Sequence, residues 1–172
     1  MPREERYGCI FCRSGKEKEV ARQLEQKCSG CRAVVAEKIR YRRSHGMATL
    51  EKVILFPGYV FFKCPPEQSP ETIFPSKDVY RILRTGDGSW ELQGFDREIA
   101  KQFVTAGGTI DISKAFYDGD RIRIKEGFLK QYEGYIVRVN HRMKTAQINV
   151  PLDGKIFSIW LGFEVLAPSM LN

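Results

Sequence analysis

The sequence predicts an α+β domain followed by a small all-β barrel, and three features lead to that reading. Strand-like runs and two amphipathic helical stripes alternate up to about residue 106. Past Gly107-Gly108 the stripes stop, and about five short strands follow with a hairpin signal among them. Between the two helical stripes lies Val53-Ile54-Leu55-Phe56-Pro57-Gly58-Tyr59-Val60-Phe61-Phe62, almost wholly apolar and interrupted only by Pro57-Gly58.

Tyr7 to Arg13 alternates as a first strand, with Tyr7, Cys9 and Phe11 on one face and Ile10 and Cys12 on the other. Ser14-Gly15-Lys16-Glu17 has the spacing of a capping box, in which Ser14 accepts from a first-turn N–H and Glu17 reaches back. Val20, Leu24 and Cys28 then recur at every fourth position, with Ala21 beside them, as the core-facing stripe of a helix. Ser29-Gly30 stops it, since glycine readily takes the left-handed cap conformation.

Ala33 to Arg43 is a second strand ending in Arg40, Arg42 and Arg43, and Ser44-His45-Gly46 starts a polar turn. Val53 to Lys63 is the long strand, ended by Cys64-Pro65-Pro66. A strand with one wet face alternates apolar and polar residues, and this one does not. Either both faces are covered or one is a docking surface, and Pro57-Gly58 implies a bulge or bend. Ser69-Pro70 is a helix start that Pro75 keeps short. Val79 to Arg84 is a further strand closed by Gly86-Asp87-Gly88, and Phe95, Ile99 and Phe103 mark a last helix.

In the second part, Arg121-Ile122-Arg123-Ile124-Lys125 alternates basic and apolar residues. Tyr135 to Val139, Ala146 to Val150, Ile156 to Leu161 and Val165-Leu166 are also strand-like. Asp153-Gly154 suits a hairpin turn that needs positive φ. The expected organisation is a domain over 1–106, a linker over 107–116 and a second domain over 117–172.

A chain of 172 residues with 42% hydrophobic content can fold one medium domain or two small ones. The charged start leads into no signal-peptide core, and the longest apolar run is too short for a membrane helix. The expectation is a cytoplasmic protein without membrane contact. Net charge of +7, spread over both parts, points to nucleic acid or another acidic partner.

His45 and His141 lie in basic turns without a carboxylate or nucleophile beside them in sequence, and no Walker-type loop occurs. No enzyme activity and no cofactor are expected. Cys9-x-x-Cys12 and Cys28-x-x-Cys31 have the spacing of a four-cysteine zinc site. Geometry argues against that set. On a strand Cys9 and Cys12 point to opposite faces, Ile10-Phe11 is poor turn material, and Cys28 falls on the apolar stripe of a helix. No metal site is expected.

Tyr7 through Glu17, and above all Leu55-Phe56-Pro57-Gly58-Tyr59-Val60, resembles the N-terminal domain of the NusG family of transcription elongation factors. Gly119-Asp120-Arg121-Ile122-Arg123-Ile124, Gly127-Phe128-Leu129-Lys130, Glu133-Gly134 and Ile136-Val137 resemble a KOW domain. The resemblance implies an antiparallel sheet flanked by helices, then an SH3-like KOW barrel. Ser14 to Glu17, Ile112 to Ala115 and the hairpin Arg138 to Lys144 are similar to LoaP-type antiterminators. The usual Trp-Tyr of the first strand is Tyr7-Gly8 here, and the usual Gly-Pro-Phe of the KOW loop is Gly127-Phe128-Leu129.

The resemblance implies a regulator of transcription elongation acting by processive antitermination. Phe56 and Tyr59 would be anchors in a pocket gripping the clamp helices of RNA polymerase, with Pro57 between them and Tyr7 a neighbour. Aromatic anchors suit that role because they bury large area at low entropic cost. Arg138, His141, Arg142 and Lys144 around one hairpin turn, with Arg121 and Arg123 on the solvent side of a strand, are the expected contacts to RNA, a leader hairpin read through phosphates and splayed bases. Tyr132 and Tyr135 offer stacking faces. Arg40, Arg42, Arg43 and His45 form a similar basic hairpin, of which the three arginines join the RNA set, with polymerase or upstream DNA as the alternative partner of that hairpin. Two alternatives stand beside this. One is a general elongation or termination factor whose KOW domain binds a termination or ribosomal protein. The other is a ribosome-associated RNA-binding KOW protein.

Overall fold

Val60, Phe62 and Cys64 point to one side of their strand and Phe61 to the other, and each side meets a different helix. The missing alternation in the apolar stretch therefore reflects burial on both faces. The computed structural model describes residues 4–171. Its first unit comprises the residues up to Glu37 together with Ile54–Thr109. It contains β1 (Arg6–Cys12), α1 (Glu17–Lys27), β2 (Arg32–Val34), and the start of β3 (Glu37–Ser44) and end of β4 (Met47–Ile54). It continues through β5 (Tyr59–Cys64), β6 (Val79–Ile82) and α2 (Gly94–Thr105).

The sheet of this unit has the order β2-β5-β1-β6, and the pairings β2–β5, β5–β1 and β1–β6 are antiparallel. Cys9 lies opposite Phe61 and Phe11 opposite Tyr59. On one face Val20, Leu24 and Cys28 of the first helical segment pack with Ile10, Val60, Phe62 and Cys64. On the other, Phe61 stacks on Phe103 of α2 at 5.3 Å between ring centroids, and Phe56 meets both rings edge-on. Burying each such aromatic contributes roughly 1.5–3 kcal/mol before entropy is counted.

Two readings of this unit are corrected. The long strand over 53–63 is two strands, because Leu55 to Gly58 leave the ladder between β4 and β5. The capping box does not form: Lys16 occupies the N-cap without a side-chain hydrogen bond, and Glu17 turns its carboxylate to two other backbone donors. Ser69 does cap, accepting from Glu71 N at 3.3 Å, and the single 3₁₀ turn Pro70–Ile73 is as short as Pro75 requires. Gly8 sits across from Phe62, where an added Cβ would fall 2.3 Å from the ring. Its side-chain space is occupied by Phe62, which also tilts against Trp90.

The second unit groups Lys38–Val53 with the residues from Ile110 onward. The β3–β4 hairpin thus belongs with the later strands and not with the segment over 1–106; Lys38 Nζ donates to the carbonyl of Trp160. His45 and Gly46, both at positive φ (51° and 77°), close its turn. After β7 (Thr109–Ile110) come β8 (Ser113–Asp118), β9 (Arg121–Glu126), β10 (Ile136–Asn140), β11 (Thr145–Leu152) and β12 (Lys155–Val165). Five of these form a sheet of order β10-β11-β12-β8-β9, and β4-β3-β7 form a smaller one.

The segment 107–116, expected as a linker, holds β7 and the start of β8. Ser113 and Ala115 are buried, and β8 runs parallel to β12 with Ala115 opposite Val165. Asp153 and Gly154 make the predicted turn between β11 and β12, with φ of 55° and 72°. Ile124, Ala146, Ile148, Val150, Ile159, Leu161 and Phe163 are buried along these strands.

Candidate functional site

Proline followed by glycine shapes the segment between β4 and β5. Tyr59 N donates to Phe56 O at 3.0 Å, closing a turn with Pro57 second and Gly58 third, at φ 88°. That is the type II pattern, where the third residue needs positive φ. Gly58 is tied on both sides. Its carbonyl accepts from Cys12 N at 2.8 Å, and its N–H donates to Glu17 Oε1 at 2.8 Å. The other Glu17 oxygen accepts from Gly15 N at 2.9 Å. A Cβ on Gly58 would lie 3.1 Å from the Cys12 carbonyl, so the close approach also needs glycine.

Phe56 and Tyr59, expected as anchors in a pocket, and their neighbour Tyr7 are all buried within this unit. Phe56 is 0% exposed, Tyr59 2% and Tyr7 6%. Phe56 fills space between Phe61 and Phe103, and the guanidinium of Arg97 lies over the Tyr7 ring at 5.4 Å. Pro57 is exposed. The aromatic residues that reach the surface beside the turn are Phe11 and Tyr80. Phe11 is half-buried, with Tyr59 at 5.1 Å on one side and Tyr80 at 5.3 Å on the other. Tyr80 is 58% exposed. The alternation of β1 already placed Phe11 and Tyr7 on one face; nothing in the sequence located Tyr80 beside them.

Behind the turn lie two buried carboxylates, Glu17 and Asp78. Burial, followed by these two negative charges, pushes the Cys12 thiol up to about 12. Neither carboxylate oxygen of Asp78 has a hydrogen-bond partner among the described residues.

The cysteines divide differently from their spacing. Cys12 packs with the α1 side of the sheet, and Cys9, at odd register from it, faces the other way. Neither joins Cys28 and Cys31, which are disulfide-bonded to each other, with the sulfur of the free Cys64 against them. Cys64 was the residue missed: thirty-three positions past Cys31, it has no spacing signature.

In the second unit, the turn between β10 and β11 is held by Asn140 Oδ1, which accepts from Met143 N at 2.9 Å. It leaves His141, Arg142, Met143 and Lys144 exposed. The Tyr117 hydroxyl meets His141 Nδ1 at 2.9 Å, the two rings stack, and Lys144 Nζ sits 5.9 Å over Tyr117. A cleft of about 440 Å³ brings Arg121, Arg123 and His141 together. A groove of about 530 Å³ brings Arg40 beside Lys144.

The cations are not equivalent. Arg123 is paired with Glu133 at 2.7 Å, and Arg40 and Arg42 both engage Glu51. The hydrogen bond from Arg40 is the main reason the Glu51 carboxyl titrates below its usual range. Among the described residues, Arg43, Arg121, Arg138 and Arg142 form no ion pair and are exposed. Tyr132 is buried and so offers no stacking face, whereas Tyr135 is 57% exposed.

The family model for transcription termination factor NusG matches residues 6–101, the region that holds the whole β2-β5-β1-β6 sheet and the Phe-Pro-Gly-Tyr turn. The chain belongs to the NusG family. Its fold is similar to that of Thermotoga maritima NusG, from a structure concerned with domain interaction in that protein. The likeness has a TM-score of 0.52 and 16% identity, and covers 94% of this chain and 96% of that one. No curated protein matches the sequence. NusG family proteins are transcription factors that bind RNA polymerase, so this chain is a transcription factor of that family and not a member of an enzyme family. Among the described residues no helix is long and apolar enough to cross a membrane.

Proposed function

We propose that this NusG family chain is a transcription elongation regulator of the LoaP type, acting by processive antitermination. It docks on the clamp helices of RNA polymerase through its first unit and contacts a leader RNA hairpin through its second. The observation behind the reading is the combination, in one chain, of the family domain over residues 6–101 with the unpaired cations Arg121, Arg138 and Arg142 and the Tyr117–His141–Lys144 stack. Guanidinium groups free of carboxylates are available to phosphates, and an exposed ring beside them gives a base a face to stack on. The five-stranded second unit takes the role of a KOW barrel in this reading, a small β module presenting that hairpin.

Polymerase contact falls to the side chains at the surface of the turn. Pro57, Phe11 and Tyr80 form the apolar face, and the buried Tyr59, packed against Phe11, forms its floor. Such a floor keeps the contact residues in one rotamer, which lowers the entropy lost on binding. The test is a run-through assay on a template with terminators, with the leader RNA present or absent. Leader-dependent read-through is expected. Read-through that ignores the leader would replace this reading with that of a general elongation factor.

A further inference from the structure

We propose that the first unit holds a zinc ion on the thiolates of Cys28, Cys31 and Cys64. The three residues come from different parts of the fold. Cys28 caps the C-terminal end of α1, Cys31 directly precedes β2, and Cys64 ends β5. All three are buried, and their sulfurs lie within 4.8 Å of one another. Cys64 Sγ is 2.8 Å from that of Cys31 and 3.5 Å from that of Cys28. Zinc binds thiolates tetrahedrally at about 2.3 Å, which sets bound sulfurs roughly 3.8 Å apart. The trio is gathered on the scale of one coordination sphere, and small outward side-chain movements make room for the ion.

The backbone supplies the turn that a zinc knuckle needs. Cys31 N donates to Cys28 O at 3.1 Å, and Gly30 takes φ 78°, so both sulfurs emerge on one side. Gly30 is held against the residue after the third cysteine, where an added Cβ would fall 2.9 Å from Pro65 Cγ. The Cys28–Cys31 disulfide employs two sulfurs and leaves the free thiol of Cys64 pressed against them; once that disulfide is reduced, three thiols face one point. A metal employs all three.

Charge points the same way. Three thiolates on one Zn²⁺ carry a net negative charge, and burying it requires a cation or donors nearby. Arg6 lies directly across the ladder from Cys64, with its guanidinium fixed by Pro66 O at 3.0 Å and Gln68 O at 2.8 Å. Its buried Nε has no hydrogen-bond partner among the described residues. An unused donor beside a cysteine is accounted for when that cysteine is a ligating thiolate. Among the described residues the group holds three ligands, so a water would complete the coordination sphere. The ion would fasten the end of α1 to β2 and β5, the strand that leads out of the Phe-Pro-Gly-Tyr turn.

The whole chain, reduced and exchanged into buffer with zinc, is analysed for bound metal after desalting. About one zinc per chain is expected, as for a structural site. Cobalt(II) should replace it, with thiolate-to-cobalt charge-transfer absorption. Cys31→Ser and Cys64→Ser should lose both signals, and Cys12→Ser should keep them. Wild-type protein stripped by a chelator should melt at lower temperature and recover on adding zinc, a readout that needs no variant to fold. Absence of zinc and cobalt from the reduced wild type overturns the site. So does full zinc in Cys64→Ser, or a Cys28–Cys31 disulfide as the sole species after reduction and return to zinc buffer.

Discussion

The carboxylate of Glu17, at the start of α1, accepts the backbone N–H of Gly58, 41 residues further along the chain. Glu17 is 2% exposed and also accepts from Gly15, so one side chain fixes the helix start and the Phe-Pro-Gly-Tyr turn together. Glu17→Ala would leave the Gly58 donor buried and unpaired. The expected loss is about 2–3 kcal/mol, the scale of a charged hydrogen bond whose partner is left unsatisfied. Urea unfolding followed by tryptophan fluorescence measures it; a loss below about 0.5 kcal/mol would mean the turn holds without Glu17.

Phe56 and Tyr80 separate stability from docking. Phe56→Ala empties a site walled by Phe61 and Phe103 and should cost about 3–5 kcal/mol of folding stability. Tyr80→Ala removes an exposed ring and should leave stability within about 1 kcal/mol of wild type, while RNA polymerase capture falls by about tenfold or more. Equal capture by wild type and Tyr80→Ala would move the polymerase face away from this surface.

Much of the fold was legible because it rests on local patterns. The Val20–Leu24–Cys28 stripe, the Ser69-Pro70 start and the Asp153-Gly154 turn each encode their element within a few residues. The site was less legible because it depends on what covers what. An apolar aromatic reads the same whether it meets a partner or Phe103, and only the placement of α2 decides that Phe56 is core. Glu17 fitted a capping box in sequence, yet one of its two partners, Gly58, belongs to a distant turn. The basic residues were found but not ranked. That Arg40 and Arg123 are matched by Glu51 and Glu133 while Arg138 is not follows from spatial neighbours that spacing does not reveal, Glu51 across the β3–β4 hairpin and Glu133 in the 3₁₀ segment Phe128–Tyr135.

Gly8 should be intolerant of any side chain. A Cβ there would meet the Phe62 ring at 2.3 Å, and that ring is wedged against Trp90. Gly8→Ala is expected to destabilise by about 1–3 kcal/mol through overpacking, despite the better strand propensity of alanine. Gly8→Ala combined with Phe62→Leu should recover part of the loss. An unchanged urea midpoint in the single variant would show that the ring has room to move.

Cys12 gives the stability of the first unit a dependence on alkaline pH. Its thiol is pushed up to about 12 from an ordinary 9.0 by burial and by the charges of Glu17 and Asp78. The folded state therefore keeps the proton when the unfolded chain has released it. Below pH 9 the contribution is fully present, and it declines as pH rises from about 9 towards about 12. Unfolding midpoints across that range should fall more steeply for wild type than for Cys12→Ala. In the native state at pH 8 the Cys12 thiol should also resist a thiol reagent that labels it readily in denaturant.

The cations of the second unit should differ in what they give to RNA binding. Arg138 and Arg142 are exposed and make no ion pair among the described residues, so their charge is available to phosphates. Replacing both with alanine should weaken binding to a leader hairpin and flatten its salt dependence by about 1.4 in slope, at ~0.7 per single-stranded phosphate contact. Arg123→Ala should matter less, because Glu133 already neutralises that guanidinium at 2.7 Å. Arg40→Ala should matter less for the same reason, through Glu51. Affinity measured over a salt series distinguishes these cases. A slope unchanged in the Arg138→Ala, Arg142→Ala double variant would take the β10–β11 hairpin out of the RNA interface and leave it free for a protein partner.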